Sequence, residues 1–216
     1  MIVRCILVFV LTAATASAAD GIGAARKRWA ESRHGPFLER ILPPGFEAQM
    51  LPEPASSGAR LTLRYCVQCH NLANPAMHDA NKWPVIVERM VLRMQGRGNL
   101  GRLMEEMMAG VEAPEPREAK ALLAYLRKHA LPPLDPKKLP QVNALAGESF
   151  RIACSQCHAL PDPRRYTAKE WPTVVERMQT NMQWMNRVVG SKPVPGELQL
   201  RVEDINAFLV KHARRR

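Results

Sequence analysis

Cys66-Val67-Gln68-Cys69-His70, with the gapless run that follows it to Met94, decides how the rest of the chain is read. The string returns 88 positions later as Cys154-Ser155-Gln156-Cys157-His158. Trp83, Pro84, Val87, Glu88, Arg89, Met90 and Met94 return in step as Trp171, Pro172, Val175, Glu176, Arg177, Met178 and Met182. A further block, from Ala124-Tyr125-Leu126 to Lys128-His129-Ala130, matches Ala207-Phe208-Leu209 to Lys211-His212-Ala213 at an offset of 83. The second copy is therefore five residues shorter between its shared blocks. A repeat of this length divides the 216 residues into two small domains.

Working outward, each copy reads as helices joined by proline turns, and no strand pattern is present. Ser56-Ser57-Gly58 offers a serine N-cap for a short helix over Ala59 to Tyr65 that runs into the first motif. Asn74-Pro75 and Pro161-Asp162-Pro163 are turns. The next helix is expected near Asp79 or Thr167, where Thr167-Ala168-Lys169-Glu170 fits a capping box. Pro84 and Pro172 imply that it either kinks there or begins at the proline. Trp83, Val87, Met90 and Met94 share one face, as do Trp171, Val175, Met178 and Met182. Closing helices are expected over 116–130 and 201–213. The fold class is all-α: residues 19–54 as an N-terminal extension, domains over 55–133 and 142–216, and a proline- and lysine-rich linker over 134–141. Domains of this size need a staple or cofactor beside their hydrophobic core.

Residues 1–18 have the form of an export signal: Arg4, a short apolar core from Ile6, and the small-residue site Ala16-Ser17-Ala18. The apolar run is too short to span a bilayer, which takes roughly 20 residues. Cleavage near Ala18 leaves thirty basic against twenty acidic residues, a net charge of +10. That charge suits an acidic protein partner or an anionic membrane surface. Export and the lack of aromatic-basic interleaving argue against nucleic acid. After cleavage the four remaining cysteines all sit in the two motifs.

Cys-x-x-Cys-His admits several chemistries. A thioredoxin-like redox pair needs a βαβ context. A structural zinc site needs more ligands than one cysteine pair and one histidine. A disulfide leaves the histidine unexplained. Covalent haem attachment accounts for all three residues: two thiols form thioethers and the adjacent histidine ligates iron. The candidate haem-binding residues are Cys66, Cys69, His70, Cys154, Cys157 and His158.

On these residues the chain resembles two tandem class I c-type cytochrome domains from about residue 55 onward. It is also similar to bacterial members in which the motif precedes a proline turn and Trp-Pro-x-Val-Val-x-Arg-Met-x-x-x-Met. The resemblance implies two covalent haem c groups, proximal ligands His70 and His158, and a contact between Gly58 and the aromatic Tyr125. In the second copy Ala146 holds the equivalent spacing and Gly147 lies one residue nearer the motif, so Phe208 is expected to pack differently. The resemblance also implies a methionine on the far side of each iron. If the duplication kept its ligand, the pairs are Met90 with Met178 or Met94 with Met182. The second pair is preferred for its distance from the motif. Family members more often place this methionine before the last helix, an option that Met104 to Met108 supplies in the first copy only. Trp83 and Trp171 read as core residues or as donors to a haem propionate. Arg89 and Arg177 read as solvated charges or propionate partners, and His129 and His212 as solvated helix ends.

The function expected is periplasmic electron transfer by a dihaem cytochrome between redox partners, with acidic proteins as the favoured partners and no catalytic residues. The alternatives are a cytochrome subunit of a periplasmic oxidoreductase, a dihaem peroxidase-like enzyme, and a haem-based ligand sensor.

Overall fold

The computed structural model describes residues 27, 31, 45–98, 101–108, 110–156, 158–189 and 201–215. The expected export signal over 1–18 lies outside them, as does most of the N-terminal extension expected over 19–54. The described chain is mainly helical and contains no strand, in agreement with the all-α expectation. Its helices are α1 Ser57–Tyr65, α2 Trp83–Met94, α3 Gly101–Met108, α4 Pro116–Lys128, α5 Glu148–Cys154, α6 Trp171–Val189 and α7 Val202–His212. None of them is long and apolar enough to cross a membrane.

The chain forms two compact units. One contains the residues up to Ala73 together with Glu88–Leu122, and the other contains Asn74–Val87 and the residues from Leu123 onward.

In the first unit, α1 starts where sequence places it. Ser56 Oγ accepts from the Ala59 N–H at 3.2 Å and satisfies one of the helix's orphan donors. Ala59, Thr62 and Tyr65 are buried on one stripe with Gly58. The buried Thr62 hydroxyl is satisfied locally, donating to the Gly58 carbonyl at 2.9 Å. Tyr65 O–H donates to Glu118 Oε2 at 2.7 Å, tying α1 to the start of α4. Arg64 adds ion pairs to Glu112 and Glu118.

The Tyr65 hydroxyl, helped by the Glu115 N–H and by Arg64, holds the Glu118 carboxyl below its ordinary range. A carboxylate depressed in the folded state stabilises it above the unfolded pKa, and that stability is lost as pH falls through the folded value. Glu118→Gln is therefore expected to flatten the loss of stability between about pH 5 and about pH 3. Denaturant melts across that window test this, and a variant with the wild-type acid slope would remove Glu118 from the account.

In the second unit Phe150 of α5 stacks on Phe208 of α7, with ring centroids 5.2 Å apart and planes 20° apart. Around them Leu134, Val142, Trp171, Val175, Ile205 and Leu209 close the core. The 134–141 stretch, read from composition as a linker, is thus partly core. Leu134 is 7% exposed, and its N–H donates to the Leu160 carbonyl at 2.7 Å.

The nearest neighbours of Gly147 are backbone atoms of the preceding turn. A Cβ there would stand 2.6 Å from the Gln141 carbonyl oxygen and 2.7 Å from that of Val142. Both neighbours are backbone, which cannot swing aside. Gly147→Ala is expected to cost about 1–3 kcal/mol by overpacking. An unchanged melting temperature would show that the turn over Pro140–Asn143 yields instead.

α2 and α6 begin at Trp83 and Trp171, four residues after Asp79 and Thr167 and within one residue of the alternative start at the prolines. Each proline is then the second helical residue, where an N–H would have no intrahelical partner. The expected capping residues shape the turn ahead of the helix. Glu170 accepts from Thr167 N–H and Oγ1 at 2.8 Å each, and Asp79 Oδ1 accepts from Asn81 N–H at 2.9 Å.

Candidate functional site

The first motif is delivered by a change of helix type. α1 ends at Tyr65, and the Cys66 N–H still reaches the Thr62 carbonyl. A 3-10 turn over Cys66–Gln68 then tightens the chain, so Cys66, Cys69 and His70 follow one another closely around it. Gln68, between the cysteines, clamps the motif to a distant segment. Its Nε2 donates to the Glu112 carbonyl at 2.9 Å and its Oε1 accepts from the Glu112 N–H at 2.8 Å. This two-way amide bond holds the chain just beyond α3 against the motif. In the same unit Met108, the last residue of α3, brings its Sδ to 4.0 Å from Cys69 Sγ.

Sequence reading passed over Gln68. Its signal was present: Gln156 occupies the same place in the second motif. The side chains of Met104, Met107 and Met185 lie outside the described ones.

Cys66, Cys69 and Cys154 are half-buried. Burial, with the nearby Cys69 thiol adding, pushes the Cys66 thiol up to about 12. A redox-active cysteine pair needs the opposite shift, so Cys66 is unsuited to thioredoxin-like exchange. Among the described residues no group of three or more His, Cys, Asp or Glu side chains gathers to hold a metal ion. The ligand set of a structural zinc site is therefore not assembled among them.

Both motif histidines are prepared in the same way. His70 Nδ1 lies 2.8 Å from the Asn71 carbonyl oxygen, and His158 Nδ1 lies 2.7 Å from that of Ala159. A carbonyl oxygen can only accept, so Nδ1 carries a proton in both rings, and in the neutral tautomer Nε2 is the nitrogen with the lone pair. This is how metal-ligating histidines are oriented. Burial also lowers the His70 pKa, which keeps the ring neutral. Two thiols and one imidazole with an available Nε2 fit the donor set that a covalent haem requires. Cys157 lies outside the described residues.

Beyond each motif the copies build one more shared device. Asn74 Oδ1 accepts from the Ala76 N–H and Asp162 Oδ1 from the Arg164 N–H, each at 2.9 Å, so both start a 3-10 turn at a buried proline. The proline carbonyls take the indole protons: Trp83 Nε1 donates to Pro75 at 2.9 Å and Trp171 Nε1 to Pro163 at 2.7 Å. The tryptophans are 3% and 2% exposed. Their N–H groups are committed to backbone, so they act as core residues and not as propionate donors.

An aromatic ring meets each indole edge-on, His78 in the first copy and Tyr166 in the second, at 5.2 and 5.0 Å. Burial, with Lys82 and His158 adding, pushes His78 down to about 4. His78 therefore takes its place against Trp83 as a neutral ring.

Compared with protein-family models, curated proteins and solved structures, the chain matches none.

The methionines on the tryptophan-bearing helices differ between copies. Met90 and Met94 are half-buried on α2, and Met182 is half-buried on α6, but Met178 is 37% exposed. Arg89 and Arg177 are exposed. His129 and His212 are not the solvated ends expected. Each is half-buried against an aromatic ring one turn earlier, Tyr125 or Phe208, at 4.7 Å.

Proposed function

We propose that this chain is an exported, periplasmic c-type cytochrome with two covalently held haems that carries single electrons between redox partners. The observation that carries the reading is the matched state of His70 and His158. In both copies Nδ1 is spent on the next residue's carbonyl and Nε2 is left to ligate. Cys66 with Cys69, and Cys154 with Cys157, would anchor the two groups. When bound, haem iron supplies a one-electron couple whose potential is tuned by its axial ligands and its burial.

The chain's own part is to hold and enclose. The Asx–proline turn and its tryptophan fix the loop after each motif, and the Gln68 clamp fixes the segment that brings Met108 to the first. For the far-side ligand we favour Met182 in the second repeat, since it is half-buried where Met178 is exposed. In the first repeat the contact with Cys69 favours Met108 over Met94 and Met90.

Haem content and absorption spectra of the mature protein test the reading. About two haems per chain are expected, and one or none would sink it. Met182→Ala and Met108→Ala are each expected to remove one haem's six-coordinate low-spin signature. Met94→Ala is expected to leave both signatures in place, and the opposite outcome for Met108 and Met94 returns the role to Met94.

A further inference from the structure

The two repeats share a backbone bond that they clothe differently. The Arg214 N–H donates to the Tyr166 carbonyl at 2.9 Å, and at the matching place the Leu131 N–H donates to the His78 carbonyl at 2.9 Å. In the first copy the residue so placed is a buried leucine, 6% exposed, and Pro132 follows it. In the second it is an arginine whose side chain is 58% exposed, and Arg215 follows. The facing turn changes in the same sense: Ala76-Met77 in the first copy, Arg164-Arg165 in the second. One scaffold has thus been made cationic in one repeat only.

The result is a groove of about 360 Å³ lined by Arg164, Lys211, His212, Ala213, Arg214 and Arg215. Two carboxylates lie close by. Asp162 pairs with Arg164 at 2.7 Å, and Glu170 stands 4.0 Å from Arg214 while accepting from Thr167. Among the described residues no carboxylate is paired with Lys211 or Arg215, so the groove keeps an excess of positive charge. It is also held in place. The Arg214 backbone bond pins the end of the chain to the turn that carries Arg164, whose Pro163 carbonyl holds Trp171.

We propose that this groove is the docking site for a cluster of Asp and Glu side chains on a redox protein partner, so that electrons enter or leave the chain through the unit that carries the second motif. Guanidinium groups present paired donors that match carboxylates, and arginine clusters are a recurrent means of gripping acidic segments. A membrane-binding face is usually an amphipathic helix lying flat with an apolar side buried. Here the cations instead line a concavity beyond a helix end, which a protruding acidic loop fits better than a lipid surface does. The identity of the partner as a redox protein rests on the electron-carrier reading, but the groove itself does not.

The test uses the mature protein and soluble poly-L-glutamate as probe, with binding followed by calorimetry at low ionic strength. Lys211→Gln, Arg214→Gln and Arg215→Gln combined are expected to weaken binding by about tenfold or more. Removing equal charge from α4 through Arg117→Gln, Lys120→Gln and Arg127→Gln is expected to weaken it by less than about twofold. Thermal melts check that both variants fold, as their replaced side chains are exposed. Equal losses in the two variants would overturn the proposal, as would binding to vesicles of anionic phospholipid with none to polyglutamate. If the contrast holds in a protein without haem, the acidic docking site stands and the electron-carrier reading falls.

Discussion

Replacing Cys66 and Cys69 together with Ala is expected to halve the haem that stays with the denatured protein, from about two per chain to about one. A histidine ligand is exchangeable and is lost when the fold opens, whereas a thioether survives denaturation. Removing the first pair should therefore leave the second repeat's group in place, and replacing Cys154 and Cys157 should give the mirror result. His70→Ala separates anchor from ligand: covalent haem is kept, but that site loses its low-spin spectrum. Intact-mass measurement after denaturation reads the first effect and absorption spectroscopy the second. An unchanged haem content in the double-alanine protein would show that these cysteines do not hold the group.

The second large effect is on stability. Trp171→Ala is expected to cost about 3–5 kcal/mol from lost burial and the cavity left behind. The orphaned Pro163 carbonyl adds about 1–3 kcal/mol. Three features converge on this side chain: it is 2% exposed, it lies in the core with Phe150 and Phe208, and it donates to Pro163 at 2.7 Å. Against a typical total of about 5–15 kcal/mol, such a loss consumes much of what holds the second unit folded. Trp171→Phe keeps an aromatic ring but no donor, so it should show mainly the smaller cost of the hydrogen bond. Urea unfolding of both variants checks the two parts. A loss below about 1 kcal/mol for Trp171→Ala would contradict the packing described.

The repeated motif, the helical class, the serine cap of α1 and the shared face of Trp171 and Val175 could all be read directly, because each depends on spacing along the chain. What escaped depends on where distant backbone goes. The acceptor of the Trp83 indole is a carbonyl placed by an Asx turn, so sequence could offer a propionate as readily as Pro75. The clamp from Gln68 to Glu112 and the approach of Met108 to Cys69 join residues 44 and 39 positions apart. No periodicity reports such pairings. Of the two starts open for α6, the one at the proline is observed because Thr167 and Glu170 satisfy each other in a turn before the helix, while Pro172 fits inside its first turn. The stretch over 134–141 looked like a spacer because its prolines and lysines outnumber its leucines, yet Leu134 lies in the core and Leu139 packs against it.

The division of the chain into two units has a consequence for its history. The segment Asn74–Val87 belongs by sequence to the first copy, but it packs within the unit that contains the second. It is joined there by the bond from the Leu131 N–H to the His78 carbonyl. The repeat read along the sequence and the compact units of the fold are therefore out of register. A chain trimmed at the sequence boundary between the copies would cut through one of these compact units and not between the two.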